Sequence, residues 1–130
     1  MRPMVLVALS LGSAILAGCA TAPLPAPALP MVRLYNASAA TLANVRVQYD
    51  RVPVDYGTLA PGATSRYRMA EGAHRYARIE ATVDGRAIIV QPIDFVGETV
   101  LVPGYYTYRL SLDAQSELRI ETSTDATPPL

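Results

Sequence analysis

Residues 76–90, YARIEATVDGRAIIV, decide the fold class. Ala77, Ile79, Ala81 and Val83 alternate with Tyr76, Arg78, Glu80 and Thr82, the two-residue period of a strand with one buried face. Asp84-Gly85 follows, and a two-residue type I′ turn needs positive φ at both central positions, which Asp and Gly tolerate. The chain therefore reverses there, and the strand ending at Val83 pairs with one carrying Ile88 and Val90.

The same period recurs outward from this hairpin. Val32 and Leu34 alternate with Arg33 and Tyr35, and Val45, Val47 and Tyr49 with Asn44, Arg46, Gln48 and Asp50. Tyr106, Tyr108, Leu110 and Leu112 oppose Tyr105, Thr107, Arg109 and Ser111, and Leu118 and Ile120 oppose Glu117, Arg119 and Glu121. No stretch holds a helical period. Pro61-Gly62 and Pro103-Gly104 read as turns, with Pro presetting φ and Gly supplying a positive value. The expectation is an all-β domain over residues 31–122, an antiparallel β-sandwich of about seven or eight strands. Residues 123–130 form a flexible tail in this reading, and TSTDATPPL from Thr122 reads as frayed.

The ends of the chain have a different character. An apolar run from Met4 to Ala17 follows Arg2 and is interrupted by Ser10, Gly12 and Ser13. It is too short for a comfortable membrane span, which takes about 20 apolar residues, and fits a removable signal peptide over residues 1–18. Leu16-Ala17-Gly18-Cys19 resembles the bacterial lipobox. That resemblance implies cleavage before Cys19 and attachment of diacylglycerol and a further acyl chain, a membrane anchor that is effectively permanent. Ala20 stands where inner-membrane lipoproteins often carry Asp, so the resemblance implies the outer membrane as the address. Residues 19–30 then form a lipidated cysteine and a tether: ATAPLPAPALP carries four prolines and excludes helix and central strand. As polyproline II it spans on the order of 30 Å.

LAPGATSRY (Leu59–Tyr67) and LVPGYYTYRLSL (Leu101–Leu112) resemble turn and strand motifs of immunoglobulin-like and transthyretin-like sandwiches. The resemblance implies that the Tyr106 hydroxyl bonds back to a turn backbone. The chain has no Trp and its one cysteine lies in the lipobox, so it lacks the marks of antibody domains. VDYGTLAPGATS, RYARIEATVDGR, QPIDFVGE and PGYYTYRL together resemble small bacterial lipoproteins without assigned activity. This implies a fold and an address, but no reaction.

Composition narrows function further. With 51% hydrophobic and 17% charged residues in 130, the chain can bury one small core. Eleven basic residues, all arginines, balance eleven acids, which leaves no electrostatic footprint for nucleic acid. The one histidine, His74, has no nucleophile matched to it and is expected to face solvent in a turn. One histidine and no free thiol cannot build a structural zinc site, and Asp94 and Glu98 around Gly97 lack the spaced ligands of a calcium loop. Asn36-Ala37-Ser38 matches a glycosylation triplet by chance in a bacterial setting. No catalytic residue, metal or cofactor is expected.

Two surface features remain. If the strands carrying Arg66 and Arg68 and that of Arg78 pair, these arginines form a stripe with Tyr76 able to grip phosphates or carboxylates. Tyr35, Tyr76 and Tyr105 fall on outward faces and suit a protein interface. The expected function is a non-catalytic interaction or structural module, held in the envelope by a lipid anchor at Cys19 and meeting an envelope protein. A receptor for a small anionic or glycan ligand is the alternative.

Overall fold

The computed structural model describes residues 27–50, 52–92 and 99–126. The signal peptide, Cys19, most of the tether, the Asp94-Gly97-Glu98 segment and residues 127–130 lie outside them.

Among the described residues eight strands form two sheets, whose apolar faces turn toward each other. β1 (Pro30–Asn36), β4 (Arg68–Met69), β7 (Gly104–Leu112) and β8 (Leu118–Asp125) make one sheet in the order β4-β1-β7-β8. β2 (Leu42–Gln48), β3 (Pro53–Leu59), β5 (Arg78–Val83) and β6 (Arg86–Val90) make the other, ordered β3-β2-β5-β6. Val32 and Leu34, Val45 and Val47, Ile79 and Ala81, and Tyr108 and Leu110 all point between the sheets and are buried. Fully burying a Val, Leu or Ile contributes about 1.5–3 kcal/mol each, which is what drives the two faces together. The all-β sandwich and its inward residues agree with the alternation in the sequence.

The hairpin that decided the fold is present. Asp84 and Gly85 have φ of 49° and 76°, and Val83 pairs with Arg86 across the turn. Tyr106 also behaves as expected, its hydroxyl donating to the Val102 carbonyl at 2.7 Å.

Several expectations are corrected. The sheet of β1 is not wholly antiparallel: β1 runs parallel to β7 from Pro30↔Gly104 to Asn36↔Leu110. Period-two alternation places side chains on faces and carries no information on the direction of a neighbour. Residue 104 has no positive φ, so Gly104 opens β7 and makes no turn there. A Cβ at that position would meet the Tyr106 hydroxyl and ring at 3.4–3.6 Å. Gly62 does carry the positive value, 77°, and its amide donates to the Asn36 carbonyl at 2.8 Å. Asn44 takes φ of 50° in a bulge of β2, which puts both Leu42 and Val45 inward although three positions separate them.

The expected tail is ordered to Asp125. Thr122, Ser123, Thr124 and Asp125 pair with Tyr108, Thr107, Tyr106 and Tyr105. At an edge strand, half-exposed Thr122 and exposed Ser123 and Thr124 satisfy the ladder without an apolar signal, so they read as coil in sequence. The turn between β7 and β8 is organised by Asp113, whose carboxylate accepts from the Gln115 and Glu117 amides at 2.9 Å and from Arg119 Nε at 3.0 Å. These bonds, the Glu117 amide first, hold its carboxyl below the ordinary range.

Polar side chains close the sandwich along the β1–β3 side. Tyr56 OH donates to the Val32 carbonyl at 3.0 Å, and Arg68 reaches the Asp55 carbonyl at 2.9 Å. On the other side, Ile88, Val90 and Ile120 pack on the core beside Leu118.

Candidate functional site

The four surface residues singled out in the sequence do not form one stripe. β4 pairs with β1 in one sheet, whereas β5 pairs with β2 and β6 in the other, so the required pairing of their strands is absent. Residues 65–67 lie outside any strand, which leaves Arg66 exposed in an irregular segment. Arg68 is engaged with the Asp55 carbonyl. Arg78 pairs with Glu80 at 2.5 Å on the outer face of β5.

Two of the four do meet. Tyr76 and Arg78 line a surface hollow of about 290 Å³ with Gln48, Tyr49, Asp50 and His74. It forms where β2 ends and β5 begins, because Gln48 and Arg78 are register partners and the loop after Gly72 folds over them. Gly72 is required at that fold. Its φ is 76°, and a Cβ there would stand 2.7 Å from the Asp50 Cβ.

His74 is less exposed than expected. It is half-buried, its Nδ1 is shielded, and its carbonyl accepts the hydroxyl of the fully buried Tyr108. Core chemistry drives this placement, since a phenol taken from water needs an acceptor.

The tyrosines divide by burial. Tyr76 is exposed, but Tyr35 and Tyr105 are half-buried despite pointing outward. Tyr105 packs edge-on against Tyr67, with centroids 5.0 Å apart, and Tyr35 lies opposite Thr64. Tyr49, Tyr56 and Tyr108 work inside the sandwich. Tyr56 spends its one proton on the Val32 carbonyl, so at 2.5 Å Tyr49 must be the donor to Tyr56. Burial pushes all three phenols well above the ordinary range.

Sequence reasoning missed a network on the outer face of the β1 sheet. Thr107 Oγ1 accepts from Arg33 Nε at 2.9 Å and donates to Asp125 at 2.6 Å. Tyr67 OH donates to the same carboxylate oxygen at 2.7 Å, and the Arg33 guanidinium lies 4.9 Å from the Tyr67 ring centroid. Burial, then the bond to Asp125, pushes the Tyr67 phenol up to about 12. The signal available was the outward position shared by Arg33 and Thr107. Asp125 was hidden by its place in the apparent tail. Asp125→Ala removes two charge-assisted bonds and is expected to cost about 2–3 kcal/mol, read as a lower midpoint in urea; an unchanged midpoint would show that the network contributes nothing.

Among the described residues no group of three or more His, Cys, Asp or Glu could hold a metal. Neither a protein-family model nor a curated protein sequence matches the chain. Among solved structures, an NMR structure of a protein from Eubacterium rectale is similar, with a TM-score of 0.56 at 15% identity, covering 76% of this chain and 92% of that one. The likeness is one of fold: both are small domains of this all-β class.

Proposed function

We propose that this chain is a non-catalytic interaction or structural module, anchored in the outer membrane of a bacterial envelope by acyl groups on Cys19. The observation that carries the non-catalytic reading is how its polar side chains are used. Arg33, Arg68, Tyr56, Tyr67, Thr107 and Asp125 bond within the fold, and the conformations they hold join strands or sheets without presenting a reactive group. The anchored reading rests on Leu16-Ala17-Gly18-Cys19 and the proline-rich run that leads to β1. The finer description of the sandwich as immunoglobulin-like belongs to the same proposal and is supported by the Tyr106 bond to Val102.

The receptor reading has one observation in its favour, the hollow lined by Tyr76, Arg78 and His74. The pairing of Arg78 with Glu80 weakens it, because an anionic ligand has to compete with a carboxylate already in place.

Mass spectrometry of the membrane-bound protein is expected to find a mature chain starting at an acylated Cys19, and Cys19→Ser to abolish acylation. A mature chain that starts elsewhere and carries no lipid overturns the anchor. Crosslinking in intact cells then tests the module: capture of a specific envelope protein supports it. Binding of an envelope glycan or phosphate ligand that Arg78→Ala removes without unfolding, with no protein captured, favours the receptor.

A further inference from the structure

The exposed large hydrophobic side chains are unevenly placed. Val52, Met69, Tyr76, Val100 and Val102 are 70%, 65%, 45%, 51% and 69% exposed, and all stand at one end of the sandwich. The register shows this. Val52 precedes Pro53, which pairs with Gln48, itself paired with Arg78 just after Tyr76. Met69 pairs with Met31, and Val102 precedes Gly104, which pairs with Pro30. The Leu101 amide donates to the Ala73 carbonyl at 2.7 Å, tying these loops together. Among the described residues only Ile89 is comparably exposed elsewhere, on the outer face of β6. The opposite end turns through Pro61-Gly62, Asp84-Gly85 and Asp113–Glu117, and none of its described residues exposes such a side chain.

This apolar end is also where the chain enters the fold, at Pro30. We infer that it rests on the lipid surface, with Val52, Met69 and Val102 inserted among the acyl chains and Tyr76 at their boundary with the headgroups. The inference builds on the anchor at Cys19. Eleven residues lead from Cys19 to Pro30, so even a fully extended tether keeps this end within about 40 Å of the membrane. At the high effective concentration that such tethering creates, a few apolar side chains suffice to hold the domain down. A tyrosine has an apolar ring and a polar tip suited to the interface.

Charge argues for lipid over a partner recognised by electrostatics. Among the described residues, the exposed arginines around this end, Arg68 and Arg75, are offset by the exposed acids Asp50 and Glu71. Contact is therefore apolar and indifferent to anionic lipid.

The test uses the acylated protein in phosphatidylcholine vesicles, with and without anionic lipid. Cys19 is the chain's one cysteine and its sulfur is blocked by the diacylglyceryl group, so Val52→Cys, Val102→Cys or Gln115→Cys gives a single reactive thiol for an environment-sensitive fluorophore. Labels at 52 and 102 are expected to emit at shorter wavelength and to lose most of their intensity to a quencher carried on the acyl chains, equally in both lipid mixtures. The label at 115, at the opposite end, is expected to report water. Val102→Asp, at an exposed site, is expected to reduce the quenching at 52. Labels at 52 and 102 that answer only to an aqueous quencher overturn the docking and leave the anchor standing. A blue shift without quenching from the lipid overturns it too, because a second copy of the chain then covers this end. Acylation is checked on the same samples by mass spectrometry. If the chain carries no lipid the anchor fails, and labelled Cys19→Ser chains added to vesicles decide the docking: quenching from the lipid upholds it and its absence removes it.

Discussion

Asn36→Ala is expected to lower the unfolding free energy by about 3–5 kcal/mol. Asn36 is fully buried, and both its amide and its carbonyl are in use. Nδ2 donates to the carbonyls of Ala40 at 2.8 Å and Leu59 at 2.9 Å, while Oδ1 accepts from the Ser38 amide at 2.9 Å and the Ser38 hydroxyl at 2.6 Å. Because β1 and β3 belong to different sheets, the bond to Leu59 joins the two layers at the end of the sandwich away from Pro30. Alanine leaves the Leu59 carbonyl buried without this donor and opens a void, and each penalty is of the order of 1–3 kcal/mol. Asn36→Asp is expected to be as damaging, since a carboxylate has no proton for either carbonyl and adds a buried charge. Urea denaturation followed by far-ultraviolet circular dichroism measures both. A loss below about 1 kcal/mol for Asn36→Ala would mean that water replaces the amide at no cost, and that this end of the sandwich is held without the bond from Asn36.

The same residue shows how far the sequence could be read. Asn36-Ala37-Ser38 presents itself as a glycosylation triplet, and the inward phase of Val32 and Leu34 continues to Asn36. Following that phase one step further would have placed a polar amide in the core. The alternation was legible wherever apolar side chains marked one face, as in β5 with Ile79 and Val83 or β7 with Tyr108 and Leu110. It was illegible in β3, where Pro53, Asp55 and Gly57 are residues that strands disfavour. An edge strand with most of its side chains exposed places few demands on residue type, and Gly57, at φ 76°, sits opposite the bulge in β2.

The candidate surface was legible only residue by residue. Outward phase correctly put Tyr76 and Arg78 outside, but a stripe needs two strands to be neighbours, and neighbourhood is decided by long-range pairing that a local period does not encode. Arg66 and Arg68 were assigned to a strand that shrinks to Arg68–Met69, because Pro61-Gly62 is followed by an irregular segment whose backbone bonds individually to β1. Ser65 donates its amide to the Leu34 carbonyl at 2.8 Å, and the Ser65 hydroxyl accepts the Leu34 amide at 2.9 Å. Side-chain bonding of this kind lets polar residues substitute for a regular ladder. The network of Arg33, Thr107 and Asp125 was out of reach for two reasons: Arg33 lies far from Thr107 in the chain, and Asp125 stood in the apparent tail.

Alkaline pH is expected to unfold the domain steeply, and the cause is the trio Tyr49, Tyr56 and Tyr108. In the unfolded chain a phenol ionises near the ordinary value of about 10. In the fold burial raises all three well above it, because a phenolate there loses its hydration, and the bond that Tyr49 donates to Tyr56 raises Tyr49 further while it partly offsets the rise at Tyr56. The sign follows from proton binding. Above pH 10 the trio holds three protons in the fold that the unfolded state releases, and half-buried Tyr67 holds a fourth up to about 12, so the stability the trio contributes is complete below pH 10 and drains away as pH rises toward its folded values. Each group costs about 1.4 kcal/mol per pH unit in that window, hence about 4 kcal/mol per unit for three. Set against a typical domain stability of about 5–15 kcal/mol, the loss reaches the whole of it within a few units. Circular dichroism of the β-sheet and phenolate absorbance should therefore change together in one transition. Tyr108→Phe removes one of the trio's three protons and should lessen the trio's share of the steepness by about a third, although its loss of the bond to the His74 carbonyl lowers stability at neutral pH. If all eight tyrosines ionise while the sheet signal stays native, the buried phenols reach water without unfolding and the trio does not couple stability to pH.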